Sequence, residues 1–354
     1  MSRSSLLFFL LISMPLSALE PPEEQLVPDP VETSTPERQG WVPELRIGST
    51  FSFSHSSDVA GAQDGQTWNI GPTLDGSMAY YDGEHEWRSS LSFRYVLTRT
   101  PVVEEFVKTV DTLLFDSIYL YRVPGASWFG PFAHLALTTS VSTGEDVRAQ
   151  PVTYRTLETD GSVGEQQASR LTLTQPFSPL VLNEAVGVFA RPFDLPELRL
   201  ELRLGAGARE VFVQNGIAVQ DDSDTEAIEA KRLQDYQQFG AEFFLGAKGT
   251  LQFETIGRDR PLTYALSTSV MMPLYSSLTE NRGIGDLTNV TLEAGIGVRL
   301  FAWMSLDYSF RMVRQPLIVD AFQLQNNLLL SFSLAIVEST LAEADAEEAT
   351  TSAP

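Results

Sequence analysis

The chain has 354 residues, with 46 acidic and 24 basic side chains and a formal charge of -22. Its 43% of hydrophobic residues is ordinary for a folded protein, and the acidity argues against a nucleic-acid partner, which requires a clustered basic face. Cysteine is absent, which removes disulfides, thiolate catalysis, zinc–thiolate sites and a lipid-anchored cysteine.

Residues 1–18 read as a cleaved signal peptide. Arg3 supplies the positive end, Leu6 to Ile12 the apolar run, and Ser17-Ala18 the small residues at the cut. That run is too short to span a bilayer, and no other window approaches the roughly 20 apolar residues of a membrane helix. Residues 19–43 read as a disordered, acidic, proline-rich linker (P-P-E-E, P-D-P, T-P-E-R) with too little apolar surface to fold alone.

From Glu44 the side chains alternate with a period of two, the signature of extended strands with unlike faces. Leu45, Ile47, Phe51 and Phe53 oppose Arg46, Gly48, Thr50 and Ser52. After a polar loop, Thr67 to Tyr80 sets Trp68, Ile70, Leu74 and Met78 against Asn69, Thr73 and Asp75. Tyr81-Asp82-Gly83-Glu84 is a tight turn of the Asp-Gly kind. Trp87, Leu91, Phe93 and Tyr95 then oppose Arg88, Ser90, Ser92 and Arg94, and Asp111 to Arg122 comes back. A short turn at Val123 to Ala126 leads to Ser127–Val141, and a long loop, Ser142 to Pro179, follows. Its alternating piece Leu171-Thr-Leu-Thr reads as a strand extension above the main sheet.

Val181 to Arg191 returns, and Glu197 to Phe212 (E-L-R-L-E-L-R-L-G-A-G-A-R-E-V-F) shows the pattern most clearly. Leu198, Leu200, Leu202 and Leu204 share one face, with Arg199, Glu201 and Arg203 on the other. Asn215 to Asp235 is a long acidic loop, and four further strands follow between Tyr236 and Met312. The last strand sets Leu328, Leu330, Phe332 and Leu334 against Asn327, Ser331 and Ser333. Residues 338–354 read as a disordered acidic tail.

The count is about twelve strands, joined alternately by short turns and long loops. A soluble sandwich has no reason to sort its loops by length, whereas an outer-membrane barrel has short periplasmic turns and long outer loops. The expected fold is therefore all-β, a transmembrane antiparallel up-and-down barrel over residues 44–337, with both termini periplasmic in a Gram-negative-type envelope. Its expected partners are outer-membrane lipid and the barrel assembly machinery, and no cofactor, metal or catalytic group is expected. Tyr80, Tyr81, Trp87, Tyr121, Trp128, Phe129, Phe193, Phe301 and Trp303 gather beside the short turns, where an interfacial girdle would lie.

The polar faces supply a candidate lumen lining. It comprises Arg46, Asp75, Arg88, Arg94, Asp116, His134, Glu184, Arg199, Glu201, Arg203, Glu242, Lys248, Glu254, Glu293, Arg299, Asp307 and Arg311. Charges of both signs inside such a barrel either border a narrow aqueous path for small polar solutes or pair into a plug, leaving a closed barrel that acts through its outer loops.

Several short pieces in order carry a family resemblance. They are Trp68-x-x-Gly71, Trp87, Lys108-x-x-Asp111, Trp128-Phe129, and Phe177-Ser178-Pro179 ahead of Gly187-Val-Phe189. Over roughly Trp41 to Val337 the chain resembles a family of bacterial outer-membrane β-barrel proteins known only as a domain of unknown function. The resemblance implies location and fold and no activity. The acidic tail departs from it, since the last strand there ends near an aromatic residue.

Other chemistry finds less support. His55 lies where a barrel lipid hydrolase would keep a catalytic histidine, but no Asn-His pair orients it and Ser56 and Ser57 are poorly placed. It reads as a polar loop residue. His134 reads as a hydrogen-bonded interior histidine, and His85 as a turn residue, so the three histidines cannot share a metal. Asp221-Asp222-Ser223-Asp224 lacks EF-hand spacing and reads as a solvated acidic loop. Gly205-Ala-Gly-Ala208 lacks the lysine and helix of a phosphate loop.

Overall fold

The computed structural model describes residues 40–56, 65–219, 225–252, 262–279, 281–301 and 304–337. The expected leader, most of the linker, the acidic tail, Asp221 to Asp224, Glu254 and Trp303 lie outside the described residues. In chain order the strands are β1 (Gly40–Ser56), β2 (Gly65–Tyr81), β3 (His85–Arg99), β4 (Val107–Tyr121) and β5 (Phe129–Thr139). They continue with β6 (Gly144–Leu157), β7 (Val163–Thr174), β8 (Leu180–Asp194), β9 (Arg199–Phe212), β10 (Ile217–Val219) and β11 (Ile228–Arg232). The last are β12 (Tyr236–Leu251), β13 (Leu262–Ser276), β14 (Asn289–Phe301), β15 (Met304–Gln315) and β16 (Val319–Val337). Gly40 to Pro43, expected in the linker, are therefore already strand, as is His85, expected in a turn.

Twelve strands form one antiparallel barrel in the order β1-β2-β3-β4-β5-β8-β9-β12-β13-β14-β15-β16. The barrel closes because β16 returns to β1, with Leu45 opposite Val337 and Thr50 opposite Ser331. The faces follow the alternation. On β9, Glu201 is 7% exposed while Leu204 is 59% exposed. Ile47, Phe51 and Phe53 on β1, Val186 and Val188 on β8, and Phe239 and Phe243 on β12 are likewise exposed. Apolar side chains thus cover the outside and polar ones the inside, the reverse of a water-soluble sandwich.

The two long connections, expected as loops apart from a short strand extension, instead build a second sheet at one end of the barrel. β6 and β7 form a hairpin, β10 pairs with β11, and β11 runs parallel to β6, giving the order β10-β11-β6-β7. Tyr154, Leu171, Leu173, Ile217, Val219, Ile228 and Ala230 form its small core. Burial first, then the neighbouring Asp146, which accepts a 3.0 Å hydrogen bond from the phenol, pushes the Tyr154 hydroxyl up to about 12. Arg232 donates two hydrogen bonds to Glu158 across this sheet, at 3.0 and 3.1 Å.

Two of the short sequence pieces singled out above, Lys108-x-x-Asp111 and Gly187, have local structural roles. Asp111 accepts hydrogen bonds from Lys108 Nζ (2.7 Å) and from the backbone N–H groups of Val141 (2.9 Å) and Ser142 (2.8 Å). It thereby holds the chain as it leaves β5 for the second sheet. Gly187 faces Gly205 across β8 and β9, and a Cβ at Gly187 would lie 2.2 Å from the Leu204 carbonyl oxygen. The two strands approach this closely only because neither position carries a side chain.

Candidate functional site

The inward face of β3, β4, β5, β8 and β9 near the short turns holds a cluster of ion pairs. β8 turns Phe189 and Arg191 inward, so the Arg191 guanidinium, 4% exposed, lies inside the barrel. It meets Glu86 of β3 through two hydrogen bonds of 2.9 and 3.1 Å and Glu201 of β9 at 2.7 Å. Such a two-pronged arrangement fixes geometry as well as charge. Arg122 donates to Glu86 at 2.5 Å, and Arg88 contacts Glu86 at 3.1 Å and Glu201 at 3.2 Å. Asp194 joins Arg191 (3.3 Å) to Arg199 (2.7 Å) at the edge of the cluster.

From β3 to β9 the wall passes through β4, β5 and β8, about 19 Å of circumference at about 4.8 Å per strand. Arg88 and Arg191 span that stretch by direct contact, so the cluster crosses part of the interior. Arg203 extends it from the middle of β9: its guanidinium stacks 3.7 Å over the Phe244 ring and lies 3.5 Å from Glu201. Beyond it, His134 of β5 and Asp116 of β4 are joined at 2.6 Å. On the other side of the lumen, Arg311 of β15 meets Glu293 of β14 at 3.3 Å, and farther along the cluster's own strand β3 Arg94 meets Asp75 of β2 at 3.8 Å.

Near the long-loop mouth the interior changes character. A short 3-10 turn, Ile284–Leu287, and the bend between β15 and β16 fold over the opening; that bend is only Pro316 to Ile318, so the expected sorting of short turns and long loops fails at this last outer connection. They carry Leu287, Leu317 and Ile318 against Val181 of β8, Val211 of β9 and Tyr236 of β12. Arg282 donates to the Pro316 carbonyl (2.8 Å) and Arg314 to the Thr288 carbonyl (3.2 Å), which latches the two loops together. Below this apolar cap runs a polar row. Arg209 donates to Asn183 Oδ1 (3.1 Å) and to the Tyr236 hydroxyl (3.4 Å), and Asn289 donates to Gln238 Oε1 (2.7 Å).

Of the candidate lumen residues, the structure places Arg46, Asp75, Arg88, Arg94, Asp116, His134, Arg199, Glu201, Arg203, Glu242, Lys248, Glu293, Arg299, Asp307 and Arg311 at inward positions of their strands. Glu184 is a correction. It shares its face of β8 with the exposed Val186 and Val188 and points outward. Pairing demands this, because Ala185, Phe189 and Arg191 take the buried inward positions.

Glu86, Arg122, Arg191, Arg209 and Gln238 are absent from the sequence-derived set. Starting β3 two residues earlier puts Glu86 on the face of Arg88, and reversing β8 puts Arg191 inside. Arg209 and Gln238 continue the inward faces of Arg203 and Glu242, so extending those faces to the strand ends would have found them.

The aromatic residues sort by end. Trp41, Tyr80 and Trp87 cluster outside beside the first short turn, with centroids 5.0 and 5.8 Å apart. His85 packs on Tyr121 at 5.2 Å and is hydrogen-bonded to the Tyr119 hydroxyl at 2.5 Å. Trp128 packs on Phe129 at 5.8 Å, and Phe301 is exposed at the end of β14. Tyr81, by contrast, falls at an inward position beside Glu86. A second outward group, not anticipated from sequence, lies toward the other end: Phe51 and Phe53 against Trp68, and Phe239 against Tyr275. His55 lies there too, its Nδ1 3.1 Å from the Gly65 carbonyl oxygen.

No family model matches the chain, and no curated protein matches it. Among solved structures it is similar to an outer-membrane channel from Pseudomonas putida F1, at 9% identity and a TM-score of 0.40 over 87% of this chain and 99% of that one. It is also similar to the translocator domain of the autotransporter NalP from Neisseria meningitidis (8% identity, TM-score 0.35, 85% and 90% covered). The β domain of the Bordetella autotransporter BrkA gives 13% identity and a TM-score of 0.33, with 84% and 98% covered.

Proposed function

We propose that the chain is an outer-membrane barrel conducting small polar solutes through a narrow, charge-lined interior. Its own surface supports the membrane setting. Trp41 and Phe51 lie about ten positions apart on β1, or ~33 Å of strand, which a tilt of about 40° reduces to ~25 Å of height. That is the height of the apolar band of a membrane barrel, and the exposed Ile47 and Met78 lie between the two aromatic groups. In this orientation the short turns and both chain ends face the periplasm and the second sheet faces outward. Lipid surrounds the band, and the assembly machinery is the partner that inserts it.

The observation that carries the conducting reading is the size of the ring against its contents. Twelve strands spaced about 4.8 Å and tilted about 40° enclose a backbone radius of ~12 Å. Eight strands give an interior that side chains just fill, so twelve leave room along the axis, narrowed at the Glu86–Arg191–Glu201 cluster and at the Leu317 cap. We expect small unitary currents from purified protein in planar bilayers, and Glu201→Gln to change their size or ion preference while the barrel still forms. Persistent silence of well-folded protein in those bilayers would remove the pore and favour the closed, loop-acting barrel.

A further inference from the structure

We propose that Arg209 and Gln238 form a binding site for a monocarboxylate inside the barrel, beneath the Leu287–Leu317–Ile318 cap. This rests on the conducting reading and names its solute class. Arg209 is 9% exposed, and its partners are neutral: an amide oxygen and a phenol. No carboxylate lies within ion-pair distance of it among the described residues, whereas the buried Arg191 and Arg311 have Glu86 and Glu293. A buried guanidinium without a counter-charge is costly, and an anionic ligand removes that cost.

A second group points to the same place. Gln238 stands directly opposite Arg209 across β9 and β12, also facing inward, which puts the Cβ atoms about 5 Å apart. It is 1% exposed; its Oε1 is taken by Asn289, while its Nε2 has no hydrogen-bond partner among the described residues. One guanidinium fork and one amide N–H offer two donor groups to a planar anion. A single positive charge suits a monoanion better than a phosphate dianion. Tyr236 touches Arg209 and belongs to the cap cluster, so an apolar body attached to the carboxylate would lie against Leu317 and Ile318.

Calorimetric titration of the full-length protein in detergent with butyrate, butyramide and inorganic phosphate tests this. Butyrate should bind saturably, with butyramide and phosphate weaker by about tenfold or more. Arg209→Met, which removes the unpaired charge and keeps the volume, should abolish butyrate binding while heat-modifiable migration persists. Gln238→Leu, which leaves Arg209 in place, should weaken butyrate by about tenfold and serves if the Arg209 variant does not fold. Absence of saturable butyrate binding, equal binding of phosphate, or unchanged binding by a folded variant would overturn the site. Butyrate binding by a protein that carries no current keeps the site and removes the pore. Current without butyrate binding does the reverse.

Discussion

Glu86 shows how much one residue at a strand end can hold. It is 1% exposed and is shared by Arg88, Arg122 and Arg191. Removing one member of a buried ionic group leaves the others uncompensated, a loss of about 3–5 kcal/mol. Glu86→Gln should therefore lower the urea resistance of the folded barrel by about that much, whereas Glu84→Gln in the exposed turn beside it should change it little. A loss below about 1 kcal/mol for Glu86→Gln would mean that water reaches and screens the cluster. Arg88, Glu201 and Arg203 were legible in the sequence because each sits within a long unbroken alternation. Glu86 and Arg191 were not, since they lie where strands meet turns and the period has too few residues to declare a face. Glu184 was misassigned for the opposite reason. Charge alone suggested the interior, while the pattern Leu182, Val186 and Val188 placed it outside.

At the level of elements, the barrel strands are local in sequence and the second sheet is not. Neighbouring barrel strands are joined by turns as short as Asp82–Glu84, so each hairpin can be read from one window of sequence. The sheet formed by β6, β7, β10 and β11 depends on parallel pairing between segments separated by β8 and β9, which no periodicity reveals. Only Leu171-Thr-Leu-Thr hinted at it, and Leu171 and Leu173 are indeed part of its core. Its stability has a pH signature. The Tyr154 hydroxyl titrates near 10 in an unfolded chain and near 12 here, so its contribution is complete below pH 10 and is lost as pH rises toward 12. Amide exchange in β6 and β7 should rise over that interval by more than the base-catalysed rise in β1 and β2, and Tyr154→Phe should remove that excess, the alkaline step, while leaving exchange in β1 and β2 unchanged. An identical step in both proteins would assign the effect to another group.

For the whole molecule the decisive property is the outward apolar band between two aromatic groups. Leu204, 59% exposed on β9, lies within it. An arginine there should cost about 2–4 kcal/mol if it meets the bilayer midplane, and the heat-modifiable form in lipid vesicles should drop in yield. Leu157→Arg, at the end of β6 in the second sheet and also exposed, should leave that yield unchanged. Equal losses would show that the band does not contact lipid. The parallel pairing of β11 with β6 also has a consequence in time. β6 and β7 can zip together as soon as both have emerged, but β11 can join β6 only after β8 and β9 have been laid down between them. The second sheet is then a latch that shuts late. Cutting the chain between β9 and β11 should slow its closure far more than a cut in any barrel turn after β12, because the cut converts an intramolecular pairing into a search.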